Sequence, residues 1–219
     1  MALPNGFEPY RVATPANEPA DRLRTVYLLG AERRKSTRRP RLLRSNDGGG
    51  HWHEITLPDA GSLPWAFSHA TITFATPNHG MIGLQAPGLR FIKHGRWEKD
   101  HAATAAVLIT TDGGATWEQR ALPNEELLIT ALWQDPTDPQ RAFAGVWNGF
   151  VAQRGMPRNG PALYETIDGG RAWTIALRGG LQINAIFAAT PHQLWAVGDR
   201  TGFAANDVVA ILSRPAEAP

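Results

Sequence analysis

One turn sequence is written three times along this chain, and it constrains the fold more than any other feature. The copies are Ser45-Asn46-Asp47-Gly48-Gly49-Gly50-His51-Trp52, Thr110-Thr111-Asp112-Gly113-Gly114-Ala115-Thr116-Trp117 and Thr166-Ile167-Asp168-Gly169-Gly170-Arg171-Ala172-Trp173. Each follows a short apolar run, Arg41-Leu42-Leu43-Arg44, Val107-Leu108-Ile109 or Ala162-Leu163-Tyr164, and each precedes a strand-like tail such as Glu118-Gln119-Arg120-Ala121-Leu122. Strand, Asp-Gly-Gly turn and strand make a β-hairpin. The Asp carboxylate accepts N–H groups of its own turn, and glycine supplies positive φ without a Cβ clash. The tryptophan then re-enters the sheet and buries a wide ring. Asp47, Gly49, Trp52, Asp112, Gly114, Trp117, Asp168, Gly170 and Trp173 are therefore expected to serve structure rather than chemistry.

A second mark recurs about two strands upstream of each turn. It is a proline turn at Ala13-Thr14-Pro15, Ala75-Thr76-Pro77, Gln134-Asp135-Pro136 and Ala189-Thr190-Pro191. First strands are expected at 8–13, 69–75, 127–133 and 182–188, and second strands at 26–30, 80–84, 142–147 and 193–198. Third strands follow at 40–45, 105–110, 161–166 and 207–213, and fourth strands at 52–57, 117–122 and 173–177. Four antiparallel strands, repeated, predict an all-β fold, a β-propeller of four-stranded blades. The chain reads as one domain over 1–219 with about four blades, near 8–58, 69–123, 127–178 and 182–214. The last lacks most of its outer strand. Ala2-Leu3-Pro4-Asn5 repeats Ala121-Leu122-Pro123-Asn124, so residues 1–5 are a candidate partial outer strand for that blade. The alternatives are a section of a larger ring, or two chains sharing a ring. A bare third strand is an edge open to self-association.

The pattern Ser/Thr-x-Asp-x-Gly-x-Thr-Trp resembles the Asp-box, or bacterial neuraminidase repeat, of β-propellers. It is similar to that of sialidases, sortilin-type receptors and the photosystem II assembly and stability factors. The copy at 110–117 matches every position, whereas His51 and Ala172 stand where the family prefers Thr, which is expected to weaken a local hydrogen bond. The resemblance implies the fold and says little of function, because the two are separable. Its link to the assembly factors, which act as protein-binding scaffolds, implies a non-catalytic role.

Charge says more. The chain has 22 Lys and Arg against 20 Asp and Glu, a net charge of +2. Between the second and third strands of successive blades lie Arg33, Arg34, Lys35, Arg38 and Arg39, then Arg90, Lys93, Arg96 and Lys99, then Arg154 and Arg158, then Arg200. Twelve of the 22 cations thus fall in one set of connections, opposed only by Glu98, Asp100 and Asp199. Such a face attracts anions, and guanidinium suits a bidentate grip on carboxylate or phosphate. Trp97, with Phe91, Phe150 and Phe203, supplies rings that anchor a partner or stack on a flat ligand. The partner expected from this is an acidic protein segment or another anionic ligand, held by Arg33, Arg34, Lys35, Arg38, Arg39, Arg90, Arg96, Trp97, Arg154, Arg158 and Arg200. The competing reading is that these loops are arginine-rich for solubility, with the rings as local packing.

Catalytic constellations are thin. A sialidase needs an arginine triad and a Tyr nucleophile, but the three tyrosines are Tyr10, Tyr27 and Tyr164, and Phe7-Glu8-Pro9-Tyr10-Arg11-Val12 is a poor substitute for the family's early Arg-Ile-Pro element. A paired-carboxylate glycosidase needs two free acids at a set separation. Asp47, Asp112 and Asp168 are committed to turns, and Asp135 and Asp138 flank a proline turn. The glycan-processing or glycan-binding propeller is the alternative function. His51-Trp52-His53-Glu54 sets two histidines on one side of a strand without a third ligand at a recognisable spacing, so no metal is expected, nor any other cofactor. One basic hairpin, even extended by Arg41 and Arg44, argues weakly for nucleic acid. Cysteine is absent, and neither a signal peptide nor an apolar run long enough to span a bilayer is visible. A cytoplasmic location is favoured if the chain is complete.

Overall fold

The computed structural model describes residues 3–34, 37–58, 70–85, 90–92, 96–98, 105–123, 128–147, 160–179, 181–190, 193–200 and 208–213. The repeats form successive antiparallel sheets. The first contains β1 (Phe7–Ala13), β2 (Val26–Arg34), β3 (Thr37–Ser45) and β4 (His53–Ile55) in that spatial order. The second contains β5 (Thr71–Phe74), β6 (Gly80–Leu84), β9 (Ala106–Thr110) and β10 (Glu118–Ala121), with a separate hairpin of β7 (Arg90–Ile92) and β8 (Arg96–Glu98) inserted between β6 and β9. The third contains β11 (Leu128–Gln134), β12 (Ala142–Trp147), β13 (Pro161–Thr166) and β14 (Thr174–Arg178). The fourth has β15 (Leu181–Thr190), β16 (Gln193–Arg200) and β17 (Val208–Ser213). The protein is all-β, a β-propeller of about four blades. Among the described residues β17 pairs with β16 alone, and Leu3, Pro4 and Asn5 belong to no strand, so these three do not form the outer strand expected from residues 1–5, of which residues 1 and 2 lie outside the described residues. A turn explains this: the Phe7 N–H donates to the Pro4 carbonyl at 3.1 Å and directs the chain into β1.

Sheet packs on sheet through three apolar clusters, one at each junction. Tyr27, Leu29 and Leu42 of the first sheet meet Ile72, Phe74 and Ile82 of the second. Met81 and Val107 meet Ile129 and Leu132, and Phe143 and Leu163 meet Ile183 and Leu194. Glycine permits two of these junctions. A Cβ on Gly83 would lie 2.6 Å from the Ile129 side chain, and one on Gly145 would lie 2.7 Å from Ile183. Polar ties reinforce the contacts. Tyr27 stacks on Phe74 with centroids 3.6 Å apart and donates its hydroxyl to the Pro77 carbonyl at 2.7 Å. Gln134 accepts from the Ala75 N–H and donates to the Pro139 carbonyl, while Thr130 donates to the Ile183 carbonyl.

The three repeated turns share one bonding scheme. In the second, the Thr110 hydroxyl accepts the Gly114 N–H at 2.8 Å and donates to Asp112 Oδ1 at 2.8 Å. Asp112 also accepts the Thr116 N–H at 2.9 Å and the Thr116 hydroxyl at 2.6 Å. Ser45 with Asp47 and Thr166 with Asp168 repeat the first two bonds. Where Thr116 has a hydroxyl, His51 brings Nδ1 to 2.6 Å from Asp47 Oδ2, so the imidazole replaces the bond expected to weaken. Ala172 keeps only its backbone bond to Asp168, at 2.9 Å. Gly114 sits at φ +96° and has Ile55 of the preceding sheet where its Cβ would be, so conformation and space both demand glycine. The leading glycines reach across to the neighbouring turn: the N–H groups of Gly48, Gly113 and Gly169 donate to the carbonyls of Arg24, Asn78 and Gln140, each at 2.8 Å. Trp173 is buried, Trp52 and Trp117 half-buried, and the indole N–H of each meets no acceptor among the described residues.

These bonds make stability pH-dependent. The Thr116 hydroxyl, followed by its N–H, holds the Asp112 carboxyl down at about 2, from an ordinary 3.8. The His51 N–H and Ser45 hydroxyl lower Asp47, and the Ala172 N–H and Thr166 hydroxyl lower Asp168. A depressed carboxyl stabilises the fold above its unfolded value, and the contribution is lost as pH falls through the folded value. The melting temperature is therefore expected to drop between about pH 4 and pH 2. The triple variant Asp47→Asn, Asp112→Asn, Asp168→Asn should start lower and fall less steeply, and an unchanged slope in scanning calorimetry would remove these turns as the cause.

Candidate partner-binding face

In each antiparallel sheet the second strand carries the chain away from the end holding the repeated turn. Contacts between sheets show that the turn ends of the first three coincide: Ala16 N–H donates to the Phe74 carbonyl, Arg44 donates to the Gly113 carbonyl, and Gln134 bonds Ala75. The connections from second to third strand consequently leave from the other end. Lys35, Arg154 and Arg158 lie outside the described residues; the backbones of Arg33, Arg34, Arg38 and Arg39 fall at that end of the first sheet, Arg90, Arg96 and Trp97 lie on a hairpin between β6 and β9 in chain order, and Arg200 is at the close of the fourth sheet's second strand.

The Arg33–Arg39 run differs from the loop expected for it. Arg33 and Arg34 complete β2, and Thr37, Arg38 and Arg39 begin β3, leaving two residues between the strands. The register continues through Glu32↔Arg39, Arg33↔Arg38 and Arg34↔Thr37. The hairpin extends because a two-residue connection keeps the ladder in register, and the opposite charges of Glu32 and Arg39 favour one pairing. The next pair sets two arginines opposite one another in the register, and like charges so placed are unfavourable. Arg39 is exposed.

The insertion in the second sheet is likewise a hairpin. Arg90 pairs with Glu98, Phe91 with Trp97 and Ile92 with Arg96, so Arg90 has a carboxylate residue opposite it and Trp97 an aromatic one. Arg200 ends β16 opposite Leu181.

Two arginines expected to extend the basic cluster are engaged inside the fold. Arg41 is half-buried and donates to Glu54 at 2.6 Å, with Glu32 at 4.0 Å. Arg44 donates to Asn46 and to the Gly113 carbonyl, with its guanidinium carbon 5.5 Å from the Tyr27 ring centroid. Apart from Asn46, these partners are distant in sequence, so local sequence gave no sign of them. Elsewhere, Arg11 donates to the Tyr10 carbonyl at 3.0 Å beside the bulge in β1. Among the described residues no three His, Asp or Glu side chains gather in a way that could hold a metal. Among the described residues no helix is long and apolar enough to cross a membrane.

No family model and no curated relative matches the chain. Among solved structures it is similar to the GH74 xyloglucanase from Xanthomonas campestris, with a TM-score of 0.54 and 13% identity over 91% of this chain and 28% of that one. It is also similar to YCF48 bound to D1 peptide, with a TM-score of 0.46 and 14% identity over 91% of this chain and 49% of that one. The chain thus spans about half of one and less than a third of the other, and at such identity the likeness to the xyloglucanase is one of fold: a β-propeller architecture.

Proposed function

We propose that this chain is a non-catalytic propeller scaffold that takes an acidic protein segment, or another anionic ligand, on the end bearing its second-to-third-strand connections. The observation that carries the reading is the β2–β3 hairpin, whose register sets Arg33 opposite Arg38 with Arg34 and Arg39 alongside, Lys35 following Arg34 in sequence. Opposed like charges on a strand pair cost stability, and a carboxylate between them offsets that cost while forming charge-assisted hydrogen bonds. Arg90, Arg96, Trp97, Arg154, Arg158 and Arg200 extend the same basic end in this reading. The three Ser/Thr-x-Asp-x-Gly turns are read as Asp-box repeats, which assigns Asp47, Asp112 and Asp168 to the scaffold and not to the ligand.

The glycan-processing alternative has the fold of a xyloglucanase in its favour, but fold alone does not carry activity. Several carboxylates it would draw on are otherwise engaged. Asp47, Asp112 and Asp168 hold their turns, Asp135 accepts from Thr137 and Asp138, and the buried Glu165 accepts from Arg141 at 3.2 Å.

The test uses a fluorescein-labelled oligoglutamate peptide and anisotropy at low and physiological salt. The variant Arg33→Glu, Arg34→Glu, Arg38→Glu, Arg39→Glu is expected to bind it at least about 10-fold more weakly, with circular dichroism and melting temperature retained. The native protein should lose affinity as salt rises. Undiminished binding by the variant would exclude the hairpin, and failure of the native protein to bind would exclude acidic peptides as ligands.

A further inference from the structure

Strand register lets the same residue rows be followed through all four sheets. Leu29, Gly83, Gly145 and Val197 occupy one row of the second strands, opposite Arg11, Thr71, Ala131 and Ala185. Leu29, Gly83 and Gly145 are buried, the two glycines against an isoleucine of the following sheet, whereas Val197 is 36% exposed. Two residues earlier the row reads Tyr27, Met81, Phe143 and Trp195. The first three are buried, while Trp195 is half-buried with its ring stacked on Phe187, itself 48% exposed. The forward face of the fourth sheet therefore carries the apolar row that the other three bury.

The rear face of the first sheet is its counterpart. Val12, Ile72, Leu132 and Ile186 are equivalent, opposite Leu28, Ile82, Ala144 and Ala196. Ile72 and Leu132 are 9% exposed because the preceding sheet covers them, and Ile186 packs into the third cluster, but Val12 is 64% exposed. No described sheet covers either face; the rows on the fourth sheet carry no charge, and the row of Val12, Leu28 and Leu43 on the first ends at Glu54, whose carboxylate is already paired with Arg41.

We propose that two copies of this chain dock head to tail, the fourth sheet of each covering the first sheet of the other, so that eight sheets close one ring. The occupant follows from continuity, because each internal junction already joins a forward face of this kind to a rear face of this kind. A head-to-tail interface closes only when its rotations complete a turn, and eight blades lie within the usual range for propellers. The inference concerns these sheet faces and is independent of the anion-binding reading.

Light scattering and sedimentation equilibrium on the 219-residue chain test it. The expected species has twice the 23.9 kDa chain mass. Val12→Glu and Val197→Glu alter exposed residues, so each should fold with an unchanged circular dichroism spectrum while the dimer dissociation constant rises at least about 100-fold. Mixing the two variants should return a dimer, because one junction then pairs two native faces. A native monomer at the highest soluble concentration would leave these faces to another sheet and overturn the proposal, as would open-ended oligomers or a dimer unaffected by both substitutions.

Discussion

Tyr27→Ala is expected to lower stability by about 3–5 kcal/mol, the range for emptying a fully buried aromatic site. Tyr27 belongs to the first sheet, yet its main contacts lie in the second: its ring stacks on Phe74, and its hydroxyl reaches the Pro77 carbonyl. Burial pushes that hydroxyl up to about 12, so it remains a donor across the ordinary pH range. Truncation removes the packing, the bond and the surface over which Arg44 sits, and it does so at a junction rather than inside one sheet. Tyr27→Phe separates these contributions. It keeps the stack and should cost only about 1 kcal/mol for the lost hydrogen bond. Urea unfolding of both variants checks the ratio, and equal losses would mean that the hydroxyl, not the ring, holds the junction.

Trp173→Ala should produce a loss of similar size, about 3–5 kcal/mol, for a different reason. Trp173 is buried in the cluster that joins the second and third sheets, with Met81, Ile109 and Tyr164. Its indole N–H meets no acceptor among the described residues, so the side chain contributes apolar contact alone. Trp173→Phe should consequently recover most of the stability, and a Phe variant as unstable as the Ala variant in the same titration would reveal a polar role for the indole.

The legibility of this protein followed the range of the forces involved. The Asp112 turn could be read residue by residue because its bonds close within Thr110 to Thr116. Strand order was legible for the same reason, since every described strand pairs with strands of its own repeat. The extension of β2 and β3 was missed because arginines give no alternating apolar pattern. The β7–β8 hairpin had a usable signal in Gly95, which separates Arg90-Phe91-Ile92 from Arg96-Trp97-Glu98. The engagements of Arg41 and Arg44 depend on Glu54 and Gly113, which only the folded chain brings near. Nor did the apolar pattern distinguish Val12 from Ile72, because a covered row and an uncovered one are written in the same residues.

The link from the leading turn glycine to the neighbouring carbonyl, Gly48 to Arg24, Gly113 to Asn78 and Gly169 to Gln140, lies wholly within one repeat. Each of these three units thus brings its own clasp and draws on its neighbours for packing and a few hydrogen bonds, as in other quasi-one-dimensional repeats. Gene duplication or loss of a whole unit would leave every remaining clasp intact. Only the residues at the new seam would have to adapt, and a change such as glycine to valine in the row of Gly83, Gly145 and Val197 is the size of step that adaptation requires.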